Sequence, residues 1–587
     1  MEPNAMTLHE ELEQRLATAL SAVMPEAEMP ATSIAASADL RFGDYQSNAA
    51  MVLAKAQRCN PRALAEQVAA ALQVDDLASV EIAGPGFINF RVIPQAWARR
   101  VATLLADPRL GVPNIGAGRR VVIDFSAPNV AKPMHVGHIR STILGDALAR
   151  IARLLGFDVI TDNHIGDWGT QFGMILHGWK TMLDRAALEA DPITELVGVY
   201  KKVNAQCKEE PAVLQTCKAE LVKLQAGDEE NLAIWRQCIE LSKAGLEKIY
   251  AKLDVHFDHW LGESYYNERL PGLVSELLDE GLARKSDGAI CIFAAGNREE
   301  TEDPFKVQRD GEWKDNPAII RKADGGFLYA TTDLATIEHR VKGWQADHVW
   351  YVVGSPQQLH FRQIFDAAAR WGMQADFRHI AFGSILGEDR KVMKTRDGEN
   401  VQLADVLDEA VERARRVIEE KNPALTQEER AEVAEIVGLG AVKFAELSQH
   451  RLTDYVFSWD RMLALQGDTA PYLQYSYVRT RSIFRKLDEV VALDGELTIA
   501  ADGEIHLARM LTRFGEVLPS VLEDFRPNIL ANYLLELAKA FHSFFEACPV
   551  LKSEGETRRS RLALCELTSR VLERGLGLLG IRVPEKM

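Results

Sequence analysis

The chain has no uncharged stretch with the length and apolarity of a membrane span. Its opening residues, MEPNAMTLHEELEQ, lack the basic start and apolar core of a secretory signal. Cysteine is sparse. The seven present (Cys59, Cys207, Cys217, Cys238, Cys291, Cys548 and Cys565) are odd in number, scattered and without metal-ligand spacing. Reduced thiols in a cytoplasmic protein are therefore expected, with no structural metal. A basic excess is also missing: 68 Lys and Arg face 85 Asp and Glu, a formal charge of −17. That balance disfavours a surface blanketed by nucleic acid or anionic lipid, though not a local basic patch. There are no internal repeats and no low-complexity tail. A soluble enzyme or a large adaptor is left.

What is present is enough apolar material for several cores. Hydrophobic residues make up 47% and charged residues 26% of 587 positions, and at roughly 100–200 residues per domain this length suggests about three to five domains. Leu8, Leu12, Leu16 and Leu20 recur at helical spacing before Pro25 and Pro30. The Ala-rich segment 46–73 reads as helical and 80–92 as a strand-like return. Residues 1–112 thus read as an α+β module, closed by the linker-like DPRLGVPNIGAG.

From 113 to 420 the pattern changes. The apolar run VVIDFSAPN, a helix from Ser141 to Leu155 and a second strand from Phe157 to Thr161 open a βαβ unit and predict a parallel sheet. A Lys/Glu/Ala-rich helical insertion is expected over about 180–250. Further strands are expected at Ala289–Phe293, Phe327–Ala330, Val349–Val353 and His379–Phe382. Residues 421–587 carry helical periodicity almost throughout and are expected to be an all-helical domain.

Chemistry-bearing residues cluster. In SAPNVAKPMHVGHIRST, His135 and His138 flank Gly137 where a helix begins. Free helix-start amides and two imidazoles suit a nucleotide phosphate, at the crevice a parallel sheet ordinarily offers. A metal pair and a mere capping role are the rival readings. NHIGDWGTQFG, 163–173, places His164 and Gln171 on a second loop that leaves an adjacent strand. In GGFLYATTDLAT, Tyr329 and Asp333 stand four apart. Asp333 reads equally as a helix N-cap or as the partner of a cationic substrate. VVGSPQQLHFRQIF adds Gln357 near a strand end, and GSILGEDRKVMKTRDG a basic loop with Lys391, Lys394 and Arg396, suited either to closing over a triphosphate or to plain solvation. Finally, DTAPYLQYSYVRTRSIFRK interleaves Tyr472 and Tyr475 with Arg479 and Arg481, a pattern that fits RNA backbone and stacked bases nearly as well as an ordinary wet helix.

Taken in order, these pieces resemble a known family. HVGH (135–138) resembles the HIGH motif of class I aminoacyl-tRNA synthetases. NHIGDWGTQFG, LYATTDLA and the closing GLGLLGIRVPEKM resemble the arginyl-tRNA synthetases, bacterial in type. AVKFAELSQHRLTDYVFSWD with GDTAPYLQYSYVRTRSIF resembles that family's helical anticodon-binding domain, and RFGDYQSNAAM its N-terminal additional domain. The resemblance implies a Rossmann-like α/β catalytic domain between an α+β module and an all-helical anticodon-binding domain. It implies activation of L-arginine by ATP, with Mg2+, and transfer to tRNA(Arg), by a cytoplasmic monomer that needs bound tRNA to form the adenylate.

By the same resemblance Asp124, Ser126 and Asn129 hold the amino acid, while Tyr329, Asp333, Gln357 and His164 complete its pocket. His135, Gly137 and His138 serve ATP. Phe42, Tyr45 and Asn48, with Tyr472, Tyr475, Arg479 and Arg481, meet tRNA. One departure stands out in the loop that usually reads KMSK. Val392 replaces its first lysine and Thr395 its second, so Lys132 is expected to share the phosphate charge with Lys391, Lys394 and Arg396. A non-catalytic tRNA- or arginine-binding paralogue, and a class I synthetase for another amino acid, are the alternatives.

Overall fold

A computed structural model describes residues 6–27, 34–37, 39–387, 390–391, 401–487 and 491–587. The chain divides into two compact units. One comprises Met1–Ile115, Asn422–Glu429 and Ala464–Met587, and the other Gly116–Lys421 and Arg430–Leu463.

In the first unit, the helix Leu8–Val23 starts in a capping box: Glu10 N–H donates to Thr7 Oγ1 at 3.1 Å and Thr7 N–H returns to the Glu10 carboxylate at 2.7 Å. Its Leu8, Leu12, Leu16 and Leu20 are buried, as their spacing predicts. The Ala-rich segment forms two helices, Ala49–Gln57 and Pro61–Ala71. The return is a hairpin, Ala78–Ala83 and Phe87–Val92, within a four-stranded antiparallel sheet. The opening and closing parts of the chain meet inside this unit. The Arg509 guanidinium pairs with the buried Asp44 carboxylate at 2.5 Å. Arg570 donates to the Leu105 and Asp107 carbonyls at 2.6 and 2.9 Å, satisfying acceptors at the end of the helix Pro94–Ala106. A side chain at Gly515 would sit 2.1 Å from the Gly111 carbonyl, so glycine permits that contact.

The second unit holds the parallel sheet. Its strands are β1 (Arg120–Asp124), β2 (Asp158–Asp162), β3 (His348–Tyr351) and β4 (Asp376–His379), in the order β2-β1-β3-β4. The sheet changes direction between β1 and β3, and their carboxyl ends open the crevice where ligands of such sheets bind. Helix α1 (His138–Leu154) follows β1. Ser141, in its first turn, joins the two ends: its hydroxyl donates to the Val352 carbonyl at 2.6 Å and accepts the Ser126 N–H at 2.8 Å.

Three strand expectations need correction. Ala289–Ile292 lies in a separate antiparallel sheet with Ala283–Ser286 and Ala318–Arg321; the tight turn after Ser286 allows a hairpin return and no crossover. Phe327 only bridges Arg321, and helix α2 (Tyr329–Glu338) starts two residues later. The last parallel strand ends at His379, and the apolar Ile380 and Ala381 continue as a buried connection. The insertion is built of four helices: Arg185–Ala190, Pro192–Glu209, Pro211–Gln225 and Glu229–Lys252. Its Leu196, Leu224, Ile234 and Cys238 share a core with Val130, Ala131 and Ile165 from the loops beyond β1 and β2, and with Phe172 of the helix Thr170–Thr181.

Candidate active site

The two imidazoles meet at the start of α1, their ring centroids 4.0 Å apart and their planes tilted by 45°. Backbone amides fix their tautomers. His138 Nδ1 accepts the His135 N–H, and His135 Nδ1 accepts the Gly137 N–H, each at 3.1 Å. The ring protons are thereby left on the Nε2 atoms. Gly137 makes the turn possible, since a Cβ there would lie 2.9 Å from the His135 ring. Burial lowers the pKa of His135; burial, then the neighbouring His135, push that of His138 down to about 4. Both rings are neutral N–H donors at pH 7.

The amides have a different role from the one expected. Those of Val136, His138 and Ile139 donate to the carbonyls of Val401, His135 and Val136 at 2.9, 2.8 and 3.1 Å. With the amides of His135 and Gly137 given to the imidazoles, no helix-start N–H from 135 to 139 is left over for an anion. The imidazoles carry that task.

The basic loop is rooted beside them. Val401 accepts from Val136, Leu403 N–H donates to the Met134 carbonyl at 2.9 Å, and Gln402 bridges His135. At its other root, Ser384 N–H donates to Asp454 at 2.5 Å, and Phe457 N–H to the Leu386 carbonyl at 2.9 Å. Gly383 is required there, because a side chain would come within 2.6 Å of Asp454. Lys391 is exposed. Lys394 and Arg396 lie outside the described residues. Lys132 is exposed on the β1 loop, its ammonium 5.5 Å from the centre of the Tyr200 ring of the insertion.

Asn129 stands exposed on the same loop, which pairs with the NHIGDWG turn: Val130 N–H donates to Gly166 and Gly166 N–H to Pro128, both at 3.1 Å. A Cβ at Gly166 would fall 2.2 Å from Asn129 Oδ1, so that glycine clears space for the amide. His164 holds its ring through Nδ1, 2.8 Å from the Leu261 carbonyl.

A group of carboxylates gathers nearby. Helix α2 begins at Tyr329 with Leu328 as its cap residue. Asp333 therefore belongs to the second turn, and the N-cap reading falls. Its Oδ2 is 2.5 Å from His360 Nε2 on helix α3 (Gln358–Arg370). Burial lowers the His360 pKa, but the Asp333 carboxylate outweighs it and the pKa is raised. Tyr329 is 71% exposed, and Gln357 is exposed in the turn before α3.

Sequence reasoning missed Glu263 and Asp167. Burial, then Asp167 and Asp333, push the Glu263 pKa up to about 8. Asp167 accepts from Ser264 through N–H at 2.8 Å and Oγ at 2.6 Å, and Gly262 leaves room for it. Both charged neighbours that act on Glu263 are carboxylates. A guanidinium arriving there would relieve their repulsion.

Two expected amino-acid contacts prove to be internal. Asp124 is 4% exposed and bound to the fully buried Arg340, which also holds Asp162, at 2.7 and 2.8 Å. Arg340 comes from a π-helical turn, His339–Gly343, directly after α2. The pairing with Arg340 occupies Asp124 at the floor of the crevice. The Ser126 hydroxyl is buried between Thr142 Oγ1 and Tyr250 OH, 2.8 and 2.7 Å away. It too faces the interior.

In the first unit, Tyr45 is 3% exposed and donates to Glu516 at 3.3 Å, which removes it from any RNA-facing set. Phe42 and Asn48 are exposed. On the helix Ala470–Arg485, Tyr475 is exposed and Arg479 lies between the Tyr475 and Phe545 rings, 5.0 and 5.5 Å from their centres. Tyr472 stacks on His542 at 5.4 Å, and Arg481 pairs with Glu566 at 3.0 Å.

Comparisons with known proteins agree along the whole chain. Residues 100–459 match the model of the class I (R) tRNA synthetase catalytic domain, 473–587 the DALR anticodon binding domain, and 10–92 the arginyl tRNA synthetase N-terminal domain. The arginine–tRNA ligase of Chromobacterium violaceum is 44% identical over 590 residues, covering 99% of this chain and 100% of the relative. That of Pseudomonas fluorescens is also 44% identical, over 96% of both chains. The solved arginyl-tRNA synthetase of Plasmodium falciparum superposes with a TM-score of 0.81 at 26% identity, covering 99% of each chain. That of Thermus thermophilus gives 0.79 at 26% identity, over 99% of this chain and 100% of its own. With imidazoles, carboxylates and helical domain in the family's order, the chain belongs to the class I arginyl-tRNA synthetases.

Proposed function

We propose that the chain activates L-arginine with ATP and passes it to the terminal adenosine of tRNA(Arg). The observation that carries this reading is a pair of neutral imidazole donors at the sheet's change of direction, in a unit that also gathers Asp333, Glu263 and Asp167, with His360 paired to Asp333. In the first step an arginine carboxylate oxygen attacks the α-phosphorus and the bond to pyrophosphate breaks. His135 and His138 stabilise the charge that grows on phosphate oxygens. Lys132, Lys391, Lys394 and Arg396 receive the pyrophosphate. In the second step a hydroxyl of the tRNA's last ribose attacks the arginyl carbonyl and AMP departs.

Asn129 and His164 hold the amino acid's head, and Tyr329, Asp333, Glu263 and Gln357 surround its guanidinium. A synthetase for an apolar amino acid would leave these carboxylates uncompensated against its substrate, at a cost of about 1–3 kcal/mol or more. Among the described residues no three His, Cys, Asp or Glu side chains converge to hold an ion. Mg2+ is assigned to the ATP phosphates, as part of the substrate. Phe42, Asn48, Tyr472, Tyr475, Arg479 and Arg481 are assigned to tRNA. The family resemblance supports a cytoplasmic monomer. Among the described residues no helix is long and apolar enough to cross a membrane.

Pyrophosphate exchange measured over twenty amino acids, with and without tRNA(Arg), tests the reading. Exchange with arginine alone, dependent on tRNA, is the expected result. Exchange with another amino acid, or none under any condition, would overturn it.

A further inference from the structure

The loop that carries Asn129 and Lys132 is not held by the parallel sheet alone. Ser126, Ala127 and Ala131 all take left-handed backbone, at φ 72°, 45° and 56°. Side chains disfavour that region, so such a loop persists only where its surroundings over-determine it. Much of the restraint comes from one helix, Glu229–Lys252, which closes the insertion.

Its Tyr250 stands in a chain of hydrogen bonds whose direction is set at both ends. Asn163 Oδ1 accepts the Ala127 N–H at 3.1 Å, so its Nδ2 must be the donor to Tyr250 OH, also at 3.1 Å. At the far end the Thr142 hydroxyl donates to the His138 carbonyl at 2.8 Å. Between them, Tyr250 OH lies 2.7 Å from Ser126 Oγ, which lies 2.8 Å from Thr142 Oγ1. Each hydroxyl accepts from one neighbour and donates to the next, from Asn163 to the backbone of His138. Eight residues earlier on the same helix, Ser242 Oγ accepts the Ala131 N–H at 3.0 Å. The Tyr250 ring is itself wedged by Phe257 and Trp260, at 5.0 and 5.6 Å.

We infer that the closing helix of the insertion is a clamp for the signature loop, and that Tyr250 and Ser242 are positioning residues for arginine activation. Neither touches substrate. They act through Ser126, Ala127, Ala131 and the carbonyl of His138. This rests on the assignment of His138 and Asn129 to the reacting groups.

The test is Tyr250→Phe in the full chain, which deletes one oxygen and keeps the ring. Misplacement of reacting groups by a fraction of an ångström to an ångström costs roughly 10–100-fold in rate. The expected result is therefore a fall of about 10–100-fold in kcat for tRNA-dependent arginine activation. The KM for tRNA and the active-site titre should be kept. Ser242→Ala, which releases the other end of the loop, is expected to act in the same direction and serves if Tyr250→Phe fails to fold. A kcat within twofold of the parent for both variants would overturn the clamp. So would a loss that matched the fall in active-site titre, since that is what simple destabilisation produces. His138→Ala is the separate control: if it is fully active, the assignment of the reacting groups fails, whatever the clamp variants do.

Discussion

Val136 gives its N–H to the carbonyl of Val401 at 2.9 Å. This bond ties the centre of the HVGH turn to the exit of the basic loop, so the imidazoles and one root of that loop share a single piece of backbone. His135 also bridges Gln402, beside the same root.

His138→Ala is expected to lower kcat for activation by about 10²–10³-fold, the usual result of removing one well-aimed donor from a charge-building centre. The KM for arginine should change little. Steady-state kinetics check both, and an unchanged kcat would remove His138 from the phosphate.

The depressed pKa of His138 also shapes acid stability. The folded value is about 4 and the unfolded one about 6.5, so below 6.5 the unfolded chain binds the extra proton. The contribution of the neutral ring is present above pH 6.5 and is lost as pH falls through 4. Urea midpoints for the parent and His138→Ala should converge over that window.

Glu263 gives the opposite sign. Its folded pKa, about 8, lies above the ordinary 4.5. The protonated form stabilises the fold at low pH, and that contribution is lost as pH rises from about 4.5 through 8. Arginine requires the ionised form. Its affinity should therefore rise as pH passes through 8, with proton release near neutrality. Calorimetry in buffers of different ionisation enthalpy measures that proton. Glu263→Gln is expected to abolish the release, while Asp333→Ala raises the KM for arginine at every pH.

Arg340→Met leaves Asp124 and Asp162 buried together without their cation. Breaking a buried ion pair from one side costs about 3–5 kcal/mol, so a large drop in the urea midpoint is expected. Asp124→Asn should be milder, because Arg340 keeps Asp162.

Tyr475→Ala is expected to weaken tRNA binding by about 1–3 kcal/mol, the range for one base stacked on an aromatic ring. Tyr45→Phe should leave the KM for tRNA unchanged, as that ring faces inward. Aminoacylation at fixed salt compares them.

Local pattern was enough for some of this architecture. The leucines of the opening helix, the HxGH pair and the Tyr329–Asp333 spacing are each visible within a few residues; the structure buries the leucines, sets the histidines at the start of α1 and puts Tyr329 and Asp333 on α2. Other features depend on distant partners. Asp124 looked available because Arg340 is 216 positions away. Ser126 looked free because Tyr250 belongs to an insertion that reads as a solvated helix. Glu263 sits in no motif, and its raised pKa exists only once folding buries it and brings Asp167 and Asp333 beside it. The amides around the helix start looked unsatisfied because the pattern reveals neither the imidazoles and carbonyls of the turn that take most of them nor the loop that returns at Val401 to take one.

The pairing of Asp44 with Arg509 has a consequence for synthesis. An elongating ribosome adds about 5–20 residues per second. Asp44 therefore waits on the order of tens of seconds for its guanidinium, while Trp97 lacks the late helices that pack over its own. During that interval the nascent N-terminal module exposes surface that the finished protein conceals. Slower translation of the catalytic stretch would lengthen that exposure.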